Sequence, residues 1–104
     1  MARLYISGPV TGIENDNRAA FEEAKRRLSA KHPEVNIPHH FIASGTPYPK
    51  AMRISLSRVT SGVYYGVALL AGWENSNGAL LEKQVAEACG IPCKTVDEWL
   101  EEAR

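Results

Sequence analysis

The chain predicts a small doubly wound α/β fold, a parallel sheet with flanking helices, as one domain over residues 1–104. Three observations predict it. Strand-like apolar runs alternate with amphipathic helical stretches, the order that builds strand–helix–strand units. The run from Tyr64 to Ala71 is nearly continuous in apolar residues, as a parallel strand covered on both faces requires. Loops bearing glycine follow the first and the long strand, where sheets of this kind bind ligands.

Each element has its own signal. Arg3 to Ser7 reads as the first strand, ended by Gly8-Pro9. Residues Gly8 to Asn17 read as loop, with Asn15 or Asp16 placed to cap the next helix. That helix is expected to run to about His32, burying Phe21, Ala24 and Leu28 at helical spacing, with Ala20 beside them. Glu22, Glu23, Lys25, Arg26 and Arg27 then form a solvated face. Val35 to Ile37 reads as a short second strand, and His39 to Pro49 as irregular. A second helix carries Met52, Leu56, Val59 and Val63 on one stripe, weakened at its end by Gly62. The long strand follows, then a helix from Ser76 to Cys89 closed by Gly90. Ile91 to Thr95 reads as the last strand. Val96 to Ala103 reads as a terminal helix with Trp99 and Leu100 toward the body.

Composition narrows the function classes. Twelve basic and twelve acidic side chains give a net charge of zero, against the basic excess of domains that bind nucleic-acid polymers. A small phosphorylated ligand needs only one or two local cations and stays open. Cys89 and Cys93 have no second pair to complete a zinc site, so they read as buried small hydrophobes rather than a metal site or disulfide. No metal or organic cofactor is indicated. The first residues are too polar for a signal peptide, and no run approaches the roughly 18 apolar residues of a membrane span. A cytoplasmic location and no membrane partner are expected.

Three segments should converge at the carboxyl edge of the sheet: Ser7 to Gly12, Pro38 to His40, and Gly72 to Gly78. The first can present backbone N–H groups to an anion, although spacing alone favours a tight turn. Arg18, in the first turn of a helix, opposes the helix dipole, a modest cost that fits either an ordinary surface or a ligand phosphate. His39 and His40 are adjacent, so one should line the pocket and the other face solvent. Trp73 reads as core cover or as a stacking surface. Glu82 stands out. Its neighbours at helical spacing are Gly78, Ala79, Val85 and Ala86, so a carboxylate faces the core side of a helix. It is either paired with an arginine, such as Arg18 or Arg53, or it is a nucleophile or acid/base.

The motifs carry a resemblance. Tyr5-Ile6-Ser7-Gly8-Pro9-Val10-Thr11-Gly12 resembles the opening "YISGPMTG" of a family of small uncharacterised proteins of phages and bacteria. Asn17-Arg18-x-x-Phe21 matches its next motif, and Leu69 to Glu82 resembles its "LLPGWENSRGAxxE". Gly90-Ile91-Pro92 and Val96-Asp97-Glu98-Trp99 fit its tail, so the match spans nearly the whole chain in order. That family is similar to the nucleoside 2-deoxyribosyltransferases and the nucleoside-5′-monophosphate N-glycosidases, whose domain is Rossmann- or flavodoxin-like.

The resemblance implies a glutamate, Glu82, that attacks the anomeric carbon of a nucleoside or nucleotide while the base leaves. It implies that Tyr5 lies near the sugar and the nucleophile. Ser7, Gly8, Pro9, Thr11 and Gly12 would hold the sugar or its 5′-phosphate, with Asn17 and Arg18 near the phosphate. Trp73, Ser76 and Gly78 would flank the site. Tyr65 stands where the family usually carries an aspartate, and a tyrosine supplies no carboxylate at neutral pH. That departure raises an alternative: a phage-type protein that binds a nucleotide derivative without turnover. Relatives in the superfamily are commonly dimers or larger, so a homo-oligomer is expected, with Val59, Val63 and Tyr64 toward the partner.

Overall fold

Four parallel strands form one sheet in the order β2-β1-β3-β4, seen in a computed structural model that describes residues 3–102. The strands are β1 (Arg3–Ser7), β2 (Glu34–Asn36), β3 (Tyr64–Leu69) and β4 (Cys93–Thr95). Helices α1 (Arg18–Ser29), α2 (Tyr48–Val59), α3 (Asn77–Ala88) and α4 (Val96–Glu102) connect or follow them. The strand order reverses direction between β1 and β3, whose register pairs Tyr5 with Val67 and Ser7 with Leu69. In an open α/β sheet that switch point is where a crevice opens at the carboxyl ends of the strands.

Strand alternation divides the core in two. Leu4, Ile6 and Ala68 face one side and pack with Phe21, Ala24 and Leu28 of α1 and Val96 and Trp99 of α4. Tyr5, Val67 and Leu69 face the other and pack with Val59 of α2 and Ala86 of α3. Every second residue of β1 from Tyr5 therefore reaches the α2–α3 side, and the next in that series is Ser7.

Several boundaries differ from the sequence expectation, each for a local reason. A 3-10 turn, Glu14–Asn17, precedes α1, and Asn15, Asp16 and Asn17 all hold left-handed backbones with φ of 55°, 55° and 58°. Asn17, rather than Asn15 or Asp16, takes the cap position, without a side-chain cap bond. Helix α1 ends at Ser29, since Pro33 disfavours helical backbone at His32. Helix α2 starts at Tyr48 because Pro49 fits a first helical turn, and it stops at Val59. Its buried positions are Ser55 and Val59, so Leu56 is only half-buried and Val63 lies past its end. Strand β3 stops at Leu69 and β4 starts at Cys93, shorter than expected. The expected helix end at Ala103 lies outside the described residues.

Two expectations are corrected. Val59 and Tyr64 are core residues and Val63 packs against the same cluster, so this group offers no partner surface. Cys89 is exposed rather than buried, because it caps the carboxyl end of α3, where Glu87 to Gly90 all face solvent. Cys93 is half-buried, with its thiol pushed up to about 11, chiefly by burial.

Candidate functional site

Helix α3 brings Glu82 to the switch point. Ser76 caps the helix, its hydroxyl accepting from the Ala79 N–H at 3.2 Å. The buried face of α3 is then Ala79, Glu82 and Ala86, at three- and four-residue spacing. Glu82 is 7% exposed. The Ser7 hydroxyl, at the carboxyl end of β1, donates a hydrogen bond to Glu82 Oε1. Burial raises the Glu82 carboxyl above the ordinary range, opposed by the hydroxyls of Ser7 and Ser55. Among the described residues Glu82 makes no salt bridge. Arg18 instead pairs with Glu22 one turn along α1, at 3.3 Å, and Arg53 is exposed.

A cleft of about 650 Å³ opens above Glu82. One wall is the loop from Gly8 to Gly12 together with Asp16. Gly8 must be small there: a Cβ would stand 2.6 Å from Leu70 Cβ. The second wall runs through Pro38, His39 and the segment Ile42 to Thr46. The third is the first half of α2, through Tyr48, Ala51, Met52 and Ser55. Asn75 to Gly78 close it from the start of α3.

Hydrogen bonds lock the first two walls together. His39 Nε2 lies 2.8 Å from the Asp16 carbonyl, which only accepts, so Nε2 carries the proton. The Ser44 hydroxyl donates to the Asp16 carboxylate at 2.8 Å, and Asn17 Nδ2 donates to the Pro9 carbonyl at 2.9 Å. These contacts hold three consecutive left-handed residues, a conformation that persists only where the surroundings fix it.

Behind the floor lies a buried polar group. The Tyr5 hydroxyl is fully enclosed and has no hydrogen-bond partner among the described residues. Burial first, and then the charge of Glu82, push its pKa well above the ordinary value, so it is a proton-bearing donor. Its ring packs edge-on against Tyr64, centroids 5.2 Å apart. The Tyr64 hydroxyl donates to Asn36 Oδ1 at 2.8 Å, and Arg58 lies 3.3 Å from the same hydroxyl while its guanidinium covers the Phe41 ring.

The structure therefore gathers some expected site residues and separates others. Glu82, Gly8, Pro9, Thr11, Gly12, Ser76 and Gly78 line the cleft. Ser7 and Tyr5 lie beneath it and Asn17 braces its loop. His39 lines it and His40 is exposed. Arg18 does not line it. Trp73 lines a separate depression between α1 and α4, with Lys83 Nζ 5.5 Å from its ring centroid. Tyr65 sits at the amino end of β3 on the opposite face, hydrogen-bonded to His32 Nδ1 and edge-on to Trp99. Four residues of strand, roughly 13 Å, separate it from the level of Ser7.

Sequence reasoning missed the α2 wall and Asp16. Ser55 carried a readable signal: a hydroxyl between Met52 and Val59 on an otherwise apolar stripe. Asp16 carried none, because its place depends on the left-handed turn. Among the described residues no cluster of three metal-ligating side chains occurs, and no helix is long and apolar enough to cross a membrane.

A family model described as "Domain of unknown function (DUF4406)" matches residues 2–95. No curated protein and no solved structure matches the chain.

Proposed function

The chain belongs to the DUF4406 family, and we propose that it cleaves or exchanges the N-glycosidic bond of a nucleoside or nucleotide, with Glu82 as nucleophile. One observation carries the reading: a buried carboxylate without a cationic partner, held by a serine hydroxyl at the floor of a cleft at the sheet's switch point. The sequence motifs around Tyr5, Ser7 and Glu82, which resemble those of deoxyribosyltransferase-like enzymes, support it.

The chemistry follows from the carboxylate. A Glu82 oxygen bonds to the anomeric carbon as the C–N bond breaks, and the bonding pair leaves with the base, which takes up a proton. The product is a glycosyl ester on Glu82. Water then adds to the anomeric carbon and frees the carboxylate, giving hydrolysis, while a second base in place of water gives transfer. Ser7 orients the reacting carboxylate. Tyr5 supplies a buried dipole beside it. No cofactor enters these steps.

The test is base release. The purified protein is incubated with nucleosides and nucleotides, and solution and protein-bound fractions are read by mass spectrometry. Free base that disappears in Glu82→Ala supports the reading. An intact nucleotide retained on the protein, with no free base, would replace it with a non-catalytic binder. The tyrosine at position 65, in place of an aspartate, favours that second reading. Tyr65 bonds His32 and does not line the cleft, which supports the catalytic reading.

Self-association belongs to the same proposal. Leu80 and Leu81 of α3 are 42% and 38% exposed, and Tyr48 at the cleft wall is 46% exposed. These side chains replace the Val59 group as the surface a second copy would cover.

A further inference from the structure

We infer that the cleft selects an unphosphorylated nucleoside over its 5′-phosphate. The inference rests on the glycosidase reading and narrows its substrate class. It comes from the charges in the cleft wall. The carboxylates there are Asp16 and Glu82, and no lysine or arginine lines the cleft among the described residues.

The absence of a lining lysine or arginine has a geometric cause on each of the three nearby helices. Arg18 is drawn to Glu22 on the exposed side of α1. On α2 the lining residues Tyr48, Ala51, Met52 and Ser55 share one helical face. Lys50 and Arg53 fall on the opposite side of that helix and are exposed. Lys83 on α3 points to Glu87 and the Trp73 ring, away from the cleft.

A phosphomonoester brings about 1.5 to 2 negative charges at neutral pH. The backbone N–H groups at the start of α3 offer about half a positive charge. The Asp16 carboxylate adds a like charge across the cleft. A dianion entering this cleft therefore meets only partial dipoles and no lysine or arginine among the described residues. Neutral groups, by contrast, are plentiful: Thr11, Thr46, Asn75 and Asn77 can pair sugar hydroxyls, and Met52 and Tyr48 offer apolar surface to a base.

Asp16→Asn isolates the charge. Asparagine tolerates the left-handed backbone at φ 55° and keeps an oxygen to accept from Ser44. The four common 2′-deoxynucleosides and their 5′-monophosphates are compared by calorimetry and by kcat/KM for base release. The expected result is at least a tenfold preference for one nucleoside over its own monophosphate. Asp16→Asn should narrow that ratio at least threefold, by raising use of the monophosphate more than that of the nucleoside. Equal or better use of the monophosphate, or an unchanged ratio in Asp16→Asn, overturns the inference and leaves the glycosidase reading standing. Binding with the expected ratio but no base release overturns the glycosidase reading and upholds the charge inference. No binding of either ligand overturns both.

Discussion

At the scale of single residues, the site is an argument about one carboxylate. Glu82 is buried and its pKa is raised, so the folded state holds its proton more tightly than the unfolded chain does. Stability from this group is therefore full below the ordinary carboxylate value of about 4.3 and is lost as pH rises through the higher folded value. Glu82→Gln keeps the shape and an acceptor for Ser7. It should abolish base release, by about a thousandfold or more. It should also raise the melting temperature at pH 7, with the gain vanishing near pH 4; calorimetry across pH checks it, and an unchanged melting temperature at neutral pH would contradict the burial argument. Ser7→Ala removes a charge-assisted hydrogen bond that lowers the Glu82 pKa. The acid limb of the pH–rate profile should then move to higher pH, and kcat/KM should fall about tenfold. A profile that stays in place would mean that Ser7 only fills space.

At the scale of elements, the same strands that build the site also carry close packing far from it. Gly66 of β3 has no room for a side chain, since a Cβ would overlap the Trp99 indole, whose N–H donates to the Val67 carbonyl at 2.8 Å. Gly66→Ala should cost about 1–3 kcal/mol of stability, read by urea denaturation, with base release per folded molecule unchanged. Loss of activity beyond the unfolded fraction would show that α4 packing reaches the cleft. This separation also explains what the sequence told. Hydrophobic periodicity and glycine placement were enough to read four strands, four helices and the parallel sheet, because each depends on neighbours within a few residues. Glu82 was readable for the same reason: a charge among small and apolar residues on one helical face. The α2 wall, the left-handed turn at Asn15 to Asn17 and the remoteness of Tyr65 depend on how elements meet across the sheet. Local pattern carries no record of those contacts. Alignment with a motif placed Tyr65 and Arg18 in the site by order along the chain; in the fold Tyr65 contacts His32, and Arg18 pairs with Glu22 outside the cleft lining.

At the scale of the molecule, α3 presents apolar side chains to solvent. Its buried face holds Ala79, Glu82 and Ala86, and the adjacent positions Leu80 and Leu81 reach solvent. Isolated exposed leucines are ordinary, but α3 exposes a consecutive pair, and α2 exposes Tyr48 at its start. Both helices also line the cleft, so a second copy seated across both would bury the leucines and shield the mouth from water. Covering them in a two-fold dimer would set α3 against α3, since a two-fold interface uses the same patch on both chains. Light scattering should then give twice the chain mass of 11.4 kDa for the wild type. Replacing Leu80 and Leu81 together by glutamate should give a monomer with an unchanged circular-dichroism spectrum, because neither side chain belongs to the core. Base release by that monomer reads the shielding directly: a fall in kcat with the fold intact ties assembly to catalysis. A monomeric wild type would instead mean that the cleft works open to solvent, its rim held by the Asp16–His39–Ser44 and Asn17–Pro9 bonds.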